Sequence, residues 1–245
     1  MRILILLYSL IIMALLNSAC GKTKPLESEV DILSRVMQKH AISHGMQSSA
    51  FAELVLKQAW REEHEPDFMP ALGRIYTHTD GLVVLAVIRD RSIYNSADRL
   101  NQKTWTTGDV FEIFFGVSED LYYEFHVTPE NQNLLLRWNP AHFKKVRRGE
   151  AEFESALIDD PSFIQSEATI NTDDNYWTVY VLIPYQALDS AAAVANPNWK
   201  FAFARYDTTV GKTEPVLSAT PDYPEANFHD RERWHPLSLV PSSQR

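Results

Sequence analysis

The sequence predicts an all-β fold, an antiparallel β-sandwich of immunoglobulin-like or jelly-roll-like kind with a short N-terminal helix. Three observations carry this. Runs of strand length, either continuously apolar or alternating with a period of two, recur from residue 82 to residue 206. Turn-forming residues separate them, and no regular helical pattern stands between them, which disfavours the βαβ units of a parallel sheet. The chain is 45% hydrophobic, which is enough apolar material for the core of one large domain.

The first segment is a targeting signal. Met1 and Arg2 make a basic start, and Ile3 to Leu16 is almost wholly apolar, the length of a signal-peptide core and short for a membrane span. The run ends at Asn17-Ser18-Ala19-Cys20-Gly21, which resembles the lipobox of bacterial lipoproteins, where the cysteine is acylated and becomes the new N-terminus. That resemblance implies lipidation at Cys20 and an extracytoplasmic protein anchored to a bacterial membrane, in the periplasm or at the cell surface. Without it, the segment reads as an ordinary secretory signal cleaved nearby. Residues 1–19 are assigned to a signal peptide, 20–47 to a lipidated tether and short helix, and 48–245 to the sandwich domain. Membrane contact then runs through the lipid alone. Cys20 is the single cysteine, so stability must come from the core rather than from disulfides or zinc–thiolate sites.

Polar residues 21–30 read as the tether. Val30, Ile32, Leu33, Val36, Met37 and Ile42 recur near helical spacing before Gly45, so an amphipathic helix is expected to pack on the sandwich. Strands follow at Leu82 to Ile88, led by the turn dipeptide Asp80-Gly81, then at Asp109 to Phe115, Leu121 to Val127 and Asn133 to Trp138. Further strands are expected at Glu167 to Ile170, Tyr176 to Ile183, Trp199 to Tyr206 and Leu237 to Val240, with one helical turn at Pro184 to Leu188. The stretch from Leu217 to Pro236 is rich in Pro, Asp and His and reads as a long ordered loop; such loops on a rigid scaffold commonly carry binding.

The formal net charge of -9 argues against nucleic acid or anionic lipid headgroups as partners, since both reward clustered cations. The basic run Lys144, Lys145, Arg147 and Arg148 is short and reads as a solvated loop.

Several pieces stand in a fixed order. Ala59-Trp60 precedes Asp67-Phe68 and Gly73, and Trp105 precedes GDVFEIFF; then come YYEFHVTPENQNLLLRW, WTVYVLIPYQAL, WKFAFARYD and FHDRERWHPLSL. The series resembles carbohydrate-binding module family nine, one of the DOMON-like β-sandwiches, over residues 48 to 240. The resemblance implies a non-catalytic domain that grips sugar on tryptophan faces with polar side chains at the rim, and commonly holds structural calcium. By position it implies Trp105 as the first aromatic platform, Glu112 as the acceptor of hydroxyl hydrogen bonds and Arg137 as the basic donor. Asn131, with Gln132 and Asn133, would supply the rim, and Arg205 would be either a ligand residue or structural. In the loop where the family carries a second tryptophan this chain has Ser218-Ala219-Thr220-Pro221, leaving Tyr223 or Phe228 as substitutes.

Each of these residues also has a structural reading. Trp60, Trp177 and Trp199 sit with apolar strands and read as core. Trp105 is flanked by Gln102, Lys103, Thr104, Thr106 and Thr107, the setting of an exposed ring. Glu112 lies in a hydrophobic strand, where a lone carboxylate is costly, so a ligand hydroxyl or a partner such as Arg137 must satisfy it. Asp90 and Asp109, with Asp98, offer hard oxygens to calcium, without the spacing of an EF-hand loop. No nucleophile elbow, P-loop or dinucleotide fingerprint occurs, and the adjacent acid pairs read as solvated turns. Two other tasks fit such a sandwich: haem-based electron transfer, through Met69 and one of His126, His142 or His229, or contact with another protein at the cell surface.

Overall fold

The apolar runs pair into two antiparallel sheets packed face to face. The computed structural model describes residues 26–46, 50, 52–188 and 199–237; the signal segment, Cys20 and the last three residues of the expected final strand lie outside these. The first sheet has the order β1 (Ala52–Leu56), β2 (Ala71–Thr77), β3 (Gly81–Arg89), β8 (Tyr176–Pro184), β7 (Gln165–Asn171). The second has the order β10 (Val216–Ala219), β9 (Trp199–Asp207), β4 (Val110–Ser118), β5 (Leu121–Val127), β6 (Asn133–Trp138), with β11 (His235–Leu237) also paired to β9. All-β sandwich architecture is what the sequence predicts. β1, β2 and β10 are additional to the strands expected from it.

β3 explains its own unbroken apolar run, because it is buried on both sides. Leu82, Val84, Ala86 and Ile88 face the second sheet, where they meet Phe111, Ile113, Phe115, Phe201 and Phe203. Val83, Leu85 and Val87 face outward and are covered by the N-terminal helix α1 (Leu26–Ser43), whose Leu33, Met37 and Ala41 recur every fourth residue on the buried side. α1 begins inside the stretch expected to be tether. Ile42, counted with its apolar face, is 56% exposed, because it falls one position past the buried row at Ala41.

The basic run is a helix, not a loop. Asn139 caps α2 (Pro140–Arg147), its side chain accepting from the backbone N–H groups of Ala141 (2.9 Å) and His142 (3.3 Å), with Pro140 at the first helical position. Lys144, Lys145 and Arg147 sit in its last turn, where the helix dipole favours cations. Phe143 and Val146 turn toward the second sheet.

A buried polar tie joins the sheets at one end. From β9, Arg205 donates to the Met69 carbonyl (3.0 Å) and the Asp90 carboxylate (2.9 Å), and it pairs with Asp207 (2.9 Å). Asp90 closes β3, and Met69 lies just ahead of β2, so one guanidinium spans from the second sheet to the first.

Gly73 on β2 faces inward, and the Phe203 ring of β9 lies against it with no room for a side chain. Gly73→Ala is expected to destabilise the fold by about 1–3 kcal/mol through overpacking. Chemical denaturation checks this: a lower midpoint at unchanged slope is the expected result, and an unchanged midpoint contradicts the packing described.

Candidate functional site

The outer face of the second sheet carries two buried acids on the largely apolar strands β4 and β5. In the register of β4 and β5, Glu112 stands opposite His126 and Phe114 opposite Glu124. Because side chains alternate across a strand, Glu112, Glu124 and His126 all point away from the core. They are 3%, 6% and 0% exposed. The His126 Nε2 faces both carboxylates, at 2.8 Å from Glu124 Oε1 and 3.2 Å from Glu112 Oε1, so this nitrogen carries a proton. Its Nδ1 lies 2.8 Å from the Thr104 hydroxyl. Trp138 Nε1 donates to Glu124 (2.8 Å), and His229 Nε2 stands 3.9 Å from the same carboxylate. Glu124 is thus surrounded by donors. Among the described residues Glu112 meets one, the imidazole it shares with Glu124.

Charge follows these contacts. Burial pushes the Glu112 carboxyl up to about 7, against the pull of His126 and with Glu124 adding to the rise. Burial also acts to raise Glu124, yet His229, His126 and the Trp138 N–H outweigh it and hold that acid below the usual range. Burial acts to lower His126, but the two carboxylates hold its proton more tightly than usual. His229 is lowered by burial, with Glu124 opposing and Arg147 and His126 adding to the fall. Two neighbouring acids are thereby separated: Glu124 ionised, and Glu112 the one that takes a proton near neutrality.

Aromatic rings stand around this cluster. Trp105 rides on the one-turn 3-10 helix Thr104–Thr106, which Asn95 fixes by donating to the carbonyls of Thr104 and Asp109, both at 3.0 Å. The indole meets the His126 ring edge-on at 5.7 Å and the Phe153 ring likewise at 5.7 Å. Phe143 of α2 stacks on His229 at 4.0 Å. Tyr206 of β9 lies within electrostatic reach of Glu112, Glu124 and Arg147 and meets Phe228 edge-on at 6.0 Å. Trp105, Phe143, Phe153 and Tyr206 are each part-buried, so together they form an aromatic rim over a carboxylate with unused acceptor capacity.

The expected ligand residues divide under this geometry. Trp105 and Glu112 are brought together. Trp105 is half-buried rather than free-standing: Lys103 and Thr106 beside it are exposed, while its ring leans on His126 and Phe153. Arg137 does not join them. It pairs across the sheet with Tyr123, whose side chain lies in the core between the sheets, so Arg137 projects from the opposite face to Glu112 and opens at the sheet edge. The partner of Glu112 is accordingly His126 and not Arg137. Tyr223 cannot serve as a platform: it is 1% exposed and its hydroxyl donates to the Phe228 carbonyl at 3.0 Å. Phe228 is buried with it. Asn131 is a turn residue with φ 60°, and its amide donates to the Ser166 carbonyl of β7 at 3.0 Å. Asn133 accepts from the Ser166 hydroxyl at 2.9 Å. These amides tie the β5–β6 turn to the other sheet.

Trp177 and Trp199 are core, as expected, and Trp138 and Trp234 are buried too; Trp60 is part-buried against Phe228 at 6.3 Å. Glu124, Phe143, Phe153 and Tyr206 are site residues that the sequence reading did not single out, and it named His229 only as a haem-ligand candidate. A signal existed for one of them: Glu124 and His126, two apart in an otherwise apolar strand, must share a face. The others come from helix α2, the 3-10 turn Phe153–Ala156, β9 and the loop carrying His229, which periodicity does not connect.

Two groups of buried ligand atoms lie within 4.8 Å of one another, Asp90 with Asp109 and Asp207, and Glu112 with Glu124 and His126. In the first, Asp109 accepts from the N–H groups of Tyr94 (2.8 Å) and Thr208 (2.7 Å), Asp90 accepts from Ser92 N–H (2.7 Å), and Arg205 answers Asp90 and Asp207. Burial and the neighbouring Asp90 push Asp109 up to about 8. The guanidinium already supplies the positive charge of that group and would repel a calcium ion, which also demands six or more oxygens; the donor set does not fit one. Asp98 is exposed elsewhere. In the second group a metal ion would have to displace the His126 Nε2 proton. For haem, an axial histidine needs a free nitrogen, and both nitrogens of His126 are engaged. His142 contacts the Ser155 hydroxyl (2.7 Å) and His229 the Tyr122 hydroxyl (3.1 Å), while the Met69 carbonyl receives Arg205.

No family model matches the chain, and no curated protein sequence matches it. Among solved structures, the chain is similar to a candidate carbohydrate-binding protein from Bacteroides uniformis, with 12% identity over 83% of this chain and 91% of that one and a TM-score of 0.52. A carbohydrate-binding module of family 9 from Caldicellulosiruptor kristjanssonii, solved with cellotriose, matches at 11% identity over 69% of this chain and 72% of that one, with a TM-score of 0.44. The first likeness shows a shared fold.

Because Glu112 is raised in the folded state from the ordinary 4.5 to about 7, its contribution to stability is fully present below about pH 4.5 and is lost as the pH rises through about 7. Glu112→Gln removes this dependence. The stability of the variant relative to the parent is expected to rise by roughly 3 kcal/mol between pH 4.5 and pH 8, read from urea titrations at each pH. A difference that stays constant over that window contradicts the assigned burial.

Proposed function

We propose that this chain is a non-catalytic carbohydrate-binding protein whose saccharide sits on the Trp105 side of the aromatic rim and donates a hydroxyl to Glu112. The observation that carries this reading is the pairing of a half-buried ring surface with a carboxylate that has one protein donor among the described residues. A pyranose presents both complements: an apolar C–H face for an aromatic ring and hydroxyls for fixed acceptors. Trp105 supplies the stacking face, Glu112 the acceptor, and Tyr206 or Trp60 a second part-buried ring in place of the buried Tyr223 and Phe228. His126 acts through Glu112 and Glu124 as a positioning residue. The shared fold with a candidate carbohydrate-binding protein is in keeping with this.

The proposal extends to location. The lipobox-like Ser18-Ala19-Cys20 supports a chain anchored through Cys20 on the extracytoplasmic side of a bacterial membrane, where glycan fragments would be captured.

A glycan array probed with the purified protein, followed by titration calorimetry on the best binder, tests the function. Trp105→Ala is expected to weaken binding at least tenfold and Glu112→Gln by a similar factor, since each removes a contact of about 1–3 kcal/mol. Because Trp105 leans on His126 and Phe153, its truncation also costs about 1–3 kcal/mol of stability; circular dichroism at the assay temperature confirms that the variant is folded. Failure of every glycan to bind sinks the reading, and a Soret band in the purified protein would favour electron transfer in its place.

A further inference from the structure

A polar group unrelated to the rim stands on the other broad side of the sandwich. Where α1 ends, its last turn and the paired strands β7 and β8 enclose a cleft of about 700 Å³, lined by His40, His44 and Glu167. With them, Asp173 and Asp174 stand against the single lysine Lys39, a balance that draws cations. His40 and His44 are four residues apart, one helical turn, and the His44 backbone N–H still bonds to the His40 carbonyl at 3.3 Å. Their ring centroids are 4.6 Å apart, at 76° to one another.

The hydrogen bonds of each ring settle which nitrogen carries its proton. His40 Nε2 lies 2.9 Å from the Val179 carbonyl. A carbonyl only accepts, so Nε2 is the donor, and Nδ1 keeps its lone pair with no hydrogen-bond partner among the described residues. Burial lowers His40 below the usual imidazole range, the Val179 bond opposing and His44 adding to the fall, so that lone pair is available at neutral pH. In His44 the order is reversed: Nδ1 lies 3.0 Å from the His40 carbonyl, which leaves Nε2 with the lone pair. Tyr180 stacks on this ring at 4.5 Å and holds it. Carbonyl partners on the non-ligating nitrogens are the usual means of orienting metal-bound imidazoles.

His44 Nε2 faces Glu167 Oε2 at 3.5 Å, two acceptors across a gap that calls for a cation. A charge-assisted N–H···O bond would close it to about 2.7–2.9 Å, whereas two ligands on one tetrahedral ion with bonds of about 2.0–2.1 Å stand roughly 3.3 Å apart. The Glu167 side chain is 72% exposed, so it can swing onto an ion held by the two rings. Imidazole nitrogens with one carboxylate suit zinc or copper; calcium and magnesium want oxygens.

We propose that His40, His44 and Glu167 form a binding site for a divalent transition-metal ion of the zinc or copper kind, which clamps the end of α1 to β7. His40 Nδ1 and His44 Nε2 supply the nitrogens and Glu167 an oxygen, and water fills the remaining position. The site is independent of saccharide binding, since the first sheet and the core separate it from the rim.

Titration calorimetry with zinc at neutral pH tests it, on the parent protein and on His40→Gln, His44→Gln and Glu167→Gln. One ion per chain is expected in the parent. Affinity should fall at least tenfold in each histidine variant, since loss of even a supporting partner of a ligand costs about 10–100-fold, and by less in Glu167→Gln. Copper(II) is the second probe, because its electron paramagnetic resonance spectrum counts bound nitrogens: two in the parent and one in either histidine variant. That count reports ligation and not folding. No zinc uptake by the parent overturns the site and leaves His44 and Glu167 as an ion pair. Uptake and a two-nitrogen signal that persist in either histidine variant overturn it as well, and place the ion on other histidines.

Discussion

The pairing of β4 with β5 is the constraint on which the molecule depends. Their second sheet is covered on both faces, so the two-residue alternation sorts side chains into two unlike environments. Phe111, Ile113, Phe115, Tyr123 and Phe125 enter the space between the sheets; Glu112, Phe114, Tyr122, Glu124 and His126 enter the layer beneath α2 and the loops. A slip of one residue would drive two carboxylates and an imidazole into the hydrocarbon core and expel the phenylalanines. The cost of burying unpaired charge makes that register the only tolerable one. Folding and site assembly are consequently the same event for these strands.

The two buried polar groups of the sandwich differ in a way that assigns them different tasks. Around Arg205 each carboxylate has a cation or backbone N–H groups to answer it, and the contacts bridge from one sheet to the other; this is a structural knot. Around His126 the account does not close in the same manner, because two acids share one imidazole and the second, Glu112, has acceptor positions to spare. Satisfaction alone does not separate them, since Arg205 Nε is itself buried without a hydrogen-bond partner among the described residues; what separates them is that the Arg205 contacts run from sheet to sheet, whereas the His126 group lies on one sheet's outer face. Thr104 and Trp138 fix the imidazole and Glu124 from behind, which leaves Glu112 as the member with acceptor capacity to spare.

Much of the architecture was legible because burial leaves a periodic trace. β5 and β6 fall where their alternation predicts, and β3 reveals by its unbroken apolar run that α1 covers it. β1, β2 and β10 were hidden for physical reasons: β1 and β10 are short, part-buried strands at sheet edges, and β2 is interrupted by Gly73 and Arg74, the first making room for Phe203 from the facing sheet. α2 was hidden because its apolar content is two residues, Phe143 and Val146, among basic ones. At the site, motif order marked Trp105 and Glu112, which lie near each other in the chain. It grouped Arg137 with Glu112, although parity along β6 sends Arg137 to the other face, and it offered Tyr223 as a platform, although a loop closing through the Phe228 carbonyl buries that ring. Contacts made across more than a hundred residues, such as that of Tyr122 with His229, leave no local pattern to read.

α1 lies flat on the outside of the first sheet, and the aromatic rim lies on the outside of the second. The helix and the rim therefore stand on opposite broad sides of the sandwich, with two sheets about 10 Å apart between them. Whatever packs against α1 accordingly leaves the rim uncovered.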